Sequence, residues 1–180
     1  MTFSEMQEDV LRELLNMGCG RAAGALNQMT RNHVSLATPH VRVLTCEDIE
    51  NHYSQRDNLD IIKLSFKGLL AGVSGLIFSR SSATNLVSLM LGNMDPEDPS
   101  FSEFRPDTLR EVGNIVLIWI MGTFGNALNE HIDYEPLQHV DHIKDFLSCE
   151  SNDTRDMGDE SPALQITMDF MIESQYVTGE

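Results

Sequence analysis

One phrase occurs twice in this chain, and it constrains the fold more than any other feature. Asp9-Val-Leu-Arg-Glu13-Leu-Leu-Asn16 returns as Asp107-Thr-Leu-Arg-Glu111-Val-Gly-Asn114. At 3.6 residues per turn, positions i, i+4 and i+7 fall within about 60° of one another, so Asp9, Glu13 and Asn16 line one helix face. Asp107, Glu111 and Asn114 do the same on a second helix. One acid beside one carboxamide on an exposed helix is ordinary solvated surface, and the return of the trio argues against that reading. Beyond each Asn the register largely holds, with Asn32-His33-Val34 echoed by Glu130-His131-Ile132, and Pro39 echoed, one residue early, by Pro136. The pattern predicts a single domain over 1–180 with an internal repeat, about 1–92 and 102–180.

A chain of 180 residues with 41% hydrophobic content buries a real core. Its 12 basic and 28 acidic residues leave a net charge of -16. That charge opposes nucleic-acid binding and docking on an anionic leaflet, and favours partners with a Lys or Arg patch. Cys19, Cys46 and Cys149 are odd in number and scattered, without zinc or redox spacing, which fits a reducing compartment. The acidic N-terminus is not a secretory signal, and the apolar run from Ile115 to Met121 is too short to span a bilayer. A cytoplasmic protein without membrane insertion is expected.

Along the chain, Ser4 is a good N-cap for a helix to about Arg31. Val10, Leu14 and Met17 form one apolar stripe, extended by Leu11, Leu15 and Cys19. The cluster Gly18, Gly20, Ala22, Ala23, Gly24 and Ala25 lowers helix propensity, which points to close approach of another backbone. Alternation predicts a strand over 34–45, with Pro39 at an edge or bulge. A short helical turn over 46–54 and a hairpin of strands 59–67 and 71–78 follow. Ser81 or Ser82 caps a helix ending at Gly92, and 93–102 is a connector.

The second half repeats this order. Ser102 or Pro106 starts a helix running to about Asn129, apolar all round over 115–121 and therefore expected to be buried. Leu137 to Cys149 offers a strand, 148–161 an exposed loop, and 164–170 and 176–179 two strands. Gly179 aligns with Gly75, while Leu76-Ile77-Phe78 has no counterpart before Glu180, so an unpaired last edge would invite a homodimer by strand addition.

The pattern Asp9-x3-Glu13-x2-Asn16-x22-Pro39, followed by Met-Gly-Cys-Gly-Arg-Ala-Ala-Gly after Asn16, resembles the signature of the CheC/CheX/FliY family of chemotaxis phosphatases. The two copies resemble its CheC branch. The second copy departs in having Asn114-x21-Pro136, and in carrying Leu117, Ile118 and Trp119 where the family keeps small residues. The resemblance implies an α/β (α+β) fold of pseudo-twofold symmetry, two long helices packed on a mainly antiparallel six-stranded sheet. It also implies action on a phosphorylated CheY-like response regulator.

The chemistry supports that implication. Hydrolysis of an acyl phosphate on a partner's Asp needs an in-line water, while the partner itself holds the Mg2+ and cationic groups around the phosphoryl. A carboxamide accepts one hydrogen bond from that water and donates another without titrating, which suits Asn16 and Asn114. Glu13 and Glu111, one turn away, suit pairing with the partner's active-site Lys. Asp9 and Asp107 also suit a helix N-terminus, and Pro39 and Pro136 shape the adjoining turns. No metal or cofactor of the chain's own is expected, since His139-x2-His142 puts its rings on opposite faces of a strand, consistent with surface histidines. Ten methionines are core filler unless they form an exposed patch. No Ser-His-Asp set, phosphate loop or dinucleotide fingerprint occurs. The alternative is a non-catalytic flagellar-switch or signalling adaptor that binds a regulator, or the family's deamidase partner CheD.

Overall fold

The computed structural model describes residues 4–30, 33–54, 56, 58–68, 71–148, 162–172 and 175–179. The expected loop over 148–161 and Cys149 lie almost wholly outside them. Helix α1 spans Glu5–Thr30 and strand β1 spans Val34–Thr45. Helix α2 (Cys46–Tyr53), the hairpin β2 (Leu59–Gly68) and β3 (Gly72–Ser79), and helix α3 (Arg80–Met90) complete the first half. The second half runs α4 (Phe101–Leu128), β4 (Ile132–Tyr134), β5 (Gln138–Val140), α5 (Ile143–Leu147), β6 (Pro162–Ile172) and β7 (Gln175–Gly179).

Every described strand pairing is antiparallel. One sheet has the order β1-β6-β7; the other has β3-β2-β4, with β5 also paired to β2. β4 pairs with Phe66 to Gly68 and β5 with Ile61 to Lys63, so the two short strands are successive pieces of one edge strand. A single strand over 137–149 was expected there; the chain instead forms β4 before it and turns into α5 after it. Pro136 explains the break, because it has no N–H to give the ladder, whereas Glu135 still donates its N–H to the Ser65 carbonyl at 3.0 Å. Its counterpart Pro39 lies where the β1–β6 register shifts between Ala37 and His40, a bulge on an edge strand.

The halves therefore follow the same element order, except that α3 has no counterpart among the described residues of the second, and they exchange strands. β1 of the first half pairs with β6 of the second, and the β4/β5 edge of the second pairs with β2 of the first. Among the described residues, counting β4 and β5 as one strand gives six strands in two sheets, and β3 lies beside β7 where the sheets meet. A Cβ on Gly179 would come within 2.5 Å of the Phe78 ring, so β7 packs closely beside β3, while among the described residues β7 ends its sheet and pairs with β6 alone. Phe78 and Phe170 join the sheets with ring centroids 5.6 Å apart.

Both long helices pack on each other and on the sheets. The α1 stripe is rotated from the expected one. Leu15, Gly18, Cys19, Ala22, Ala23 and Leu26 are buried, whereas Val10 and Met17 are exposed. Gly18 supplies the expected close approach, since a Cβ there would lie 2.9 Å from the Ile120 Cα of α4. Gly20 and Gly24 face open space, so only part of the small-residue cluster serves the contact.

Helix α4 starts at Phe101, before either expected cap, because the Asp98 side chain and carbonyl accept the N–H groups of Ser100 and Phe101 and turn the chain. Pro106 sits in its second turn, where the lost hydrogen bond is tolerated near the helix start. By length and composition α4 could cross a membrane, yet Leu109, Val112, Val116, Leu117 and Ile120 are buried in this fold. It is not buried all round: Trp119 remains 42% exposed. Helix α3 is capped by Ser79, whose Oγ accepts the Ser82 N–H at 3.1 Å, in place of Ser81 or Ser82.

Candidate active site

The repeated trio is solvent-facing in both copies. On α1, burial of Leu15 and Gly18 turns Asp9, Glu13 and Asn16 outward; on α4, burial of Val112 and Gly113 does the same for Asp107, Glu111 and Asn114. Ser4 and Gln7 fix the α1 entry reciprocally, with Gln7 Oε1 accepting the Ser4 N–H at 2.9 Å and Ser4 Oγ accepting the Gln7 N–H at 3.4 Å. Gly113 stands where α1 has Leu15, and a Cβ there would come within 2.5 Å of Ile62 Cγ2. Helix α4 therefore rides closer to β2 between Glu111 and Asn114 than a larger residue would permit.

The repeat extends to one feature that the trio alone did not flag. Arg12 bonds Asp9 at 3.5 Å, and Arg110 bonds Asp107, each three residues on along an exposed helix face. Such pairs contribute only about 0–1 kcal/mol each. Their value lies in neutralising the Asp, which leaves Glu13 and Glu111 as the acids of each face that, among the described residues, have no ion-pair partner. The identical Asp-x2-Arg offset in both copies was the available signal. Pro39 and Pro136 act on their own strands, as described above.

Each face thus offers an exposed carboxylate and carboxamide one turn apart. The apolar cavity of about 280 Å3 between α4, α2, α5 and the sheets contains none of the six trio residues.

A second polar constellation lies elsewhere and was not legible as a motif. Asp60, fully buried in β2, accepts from Arg105 of α4 and from His139 Nε2 at 3.0 Å, with Arg80 of α3 at 3.8 Å. Burial raises its carboxyl pKa, but the His139 and Arg105 hydrogen bonds and the Arg105 and Arg80 charges outweigh burial and hold it below the ordinary carboxylate value. His139 is thus a half-buried bonding partner where a surface histidine was expected. Asp60, His139 and Asp141 lie close enough to share a cation. Two guanidinium groups already occupy Asp60, so the set is built as an ion-pair network. Lys63 of β2 is likewise buried, its Nζ donating to the carbonyls of Asp145, at 2.8 Å, and Ser148. Burial pushes the Cys19 thiol up to about 11, so it stays protonated at neutral pH and is no nucleophile.

No family model matches the chain. It is 28% identical over 115 residues to the CheY-P phosphatase CheC of Bacillus subtilis, covering 62% of this chain and 55% of that protein. The chain thus spans little more than half the length of that relative. Among solved structures, Thermotoga maritima FliY superposes with a TM-score of 0.72 at 14% identity, over 99% of this chain and 90% of that one. The FliM middle domain from H. pylori gives 0.64 at 12%, over 98% and 91%. The antiparallel sheets and two packed long helices are thus a fold shared with FliY and the FliM middle domain. In sequence the chain is similar to the CheC and FliY proteins of the CheC/CheX/FliY family, and in fold to FliY.

Proposed function

We propose that the chain accelerates hydrolysis of the aspartyl phosphate on a CheY-like response regulator in chemotaxis signalling. The observation that carries this reading is the exposed Glu-x2-Asn pair present on both core helices, in a chain whose sequence relatives include a CheY-P phosphatase. Asn16 or Asn114 orients a water in line with the phosphorus. The water oxygen bonds to phosphorus as the bond to the regulator's Asp oxygen breaks, releasing inorganic phosphate and a free carboxylate. Glu13 or Glu111 pairs with the regulator's lysine and sets how the helix enters. In this reading Mg2+ is held by the regulator and the reaction is cytoplasmic.

Phosphate release from the regulator tests this. Asn16→Ala with Asn114→Ala should lose on the order of 10²-fold or more in rate while folding normally, because both side chains face outward. Each single variant should retain what the other face supplies, and Glu13→Ala or Glu111→Ala should weaken regulator binding more than turnover. Wild-type hydrolysis by the double variant sinks the mechanism. The second reading, a non-catalytic adaptor of a regulator or of CheD, draws on the shared FliM fold. It prevails if the wild type binds the regulator without hydrolysing it.

A further inference from the structure

The repeat carries exposed apolar side chains as well as polar ones. Met6 and Phe104 are equivalent positions, each seven residues before the Glu of its trio, and they are 77% and 48% exposed. Neither is used by the core or by the water-positioning chemistry. Seven residues are about two turns, so each sits about 10 Å along the helix from its Glu and within about 20° of it around the axis. On α1 the stripe continues with Val10, 56% exposed, and Met17, 43% exposed, which lie on the same side as Glu13. Exposed acids flank both anchors: Glu5, Glu8 and Asp9 on α1, and Glu103 and Asp107 on α4. A large apolar side chain left in water twice, at the same offset from the same motif, marks a contact surface.

Resting on the function proposed above, we infer that Met6 and Phe104 are the apolar anchors that seat the regulator's receiver domain on each helix face. The fitting partner surface presents an apolar depression about 10 Å from its active-site lysine, with basic residues at the rim to match the flanking acids. Met6 and Phe104 are positioning residues: they fix where Glu and Asn arrive and leave the bond-breaking step unchanged. With Val10 and Met17 extending the contact, the α1 face binds more tightly than the α4 face, where Val10 is replaced by Thr108.

The test isolates each face. In an Asn114→Ala chain only the α1 face turns over, and Met6→Ala there should raise KM for the phosphorylated regulator about five- to thirty-fold with kcat unchanged. Met6→Leu should restore it. In an Asn16→Ala chain Met6→Ala should leave KM within about twofold, whereas Phe104→Ala should raise it as above. Unchanged KM in the matched backgrounds, or a loss confined to kcat, overturns the inference. Direct titration of the regulator into the same variants reads Kd and separates the two claims. Binding without hydrolysis defeats the proposed function while Kd still reports on the anchors, and a Kd insensitive to both truncations defeats the anchors even if hydrolysis is confirmed.

Discussion

Asp60 is the residue on which the most distant parts of the chain converge, since Arg80, Arg105 and His139 all point to it from α3, α4 and β5. Asp60→Asn keeps the shape and removes the charge, stranding Arg105, whose side chain is only 11% exposed. Such a change should cost on the order of 3–5 kcal/mol, read by chemical denaturation. The pH dependence has a definite sign. A carboxyl held lower in the folded state than its unfolded value of about 3.9 contributes stability that is present above that value and lost as pH falls through the folded one. Wild-type thermal stability should therefore fall more steeply below about pH 4 than that of Asp60→Asn, and parallel profiles would refute the network's role.

At the scale of elements, the helix contact turns on two glycines that sequence treats alike. Gly18→Ala places a Cβ against the Ile120 backbone, which has no rotamer to give, and should destabilise by about 1–3 kcal/mol. Gly24→Ala meets nothing within 4 Å and should stabilise by about 0.5–1 kcal/mol. Equal effects in denaturant titrations would mean that α1 and α4 are not in backbone contact. This is also where sequence reading stopped short. Repetition and period made α1, β1, the β2–β3 hairpin and both trio faces legible, because each is fixed locally. The rotation of the α1 stripe was not, because Val10 and Met17 are apolar and only the partner helix decides which apolar side is covered. The break between β4 and β5 depends on which strand Pro136 is laid against, and Asp60 looks like any acid in a strand until its three partners arrive from 20 to 79 residues away.

For the whole molecule, the exchange of strands between halves decides what can fold alone. A piece covering 1–92 keeps the β2–β3 hairpin, but β1 loses its ladder to β6 and β2 loses its edge partners β4 and β5. Among the described residues, a piece covering 102–180 keeps only β6 and β7 as a pair, and α4 loses its contact with α1. Two-stranded hairpins are marginal in water, and the core that α1 and α4 share is divided between the pieces. Each fragment alone should therefore show weak helical circular dichroism and no cooperative melt. Mixed in equal amounts, the two should recover the helix signal and a single transition, with phosphate release from the regulator returning alongside it. A fragment that melts cooperatively by itself, near the temperature of the intact chain, would show that the repeat consists of two domains and that the strand exchange is not what holds the halves together.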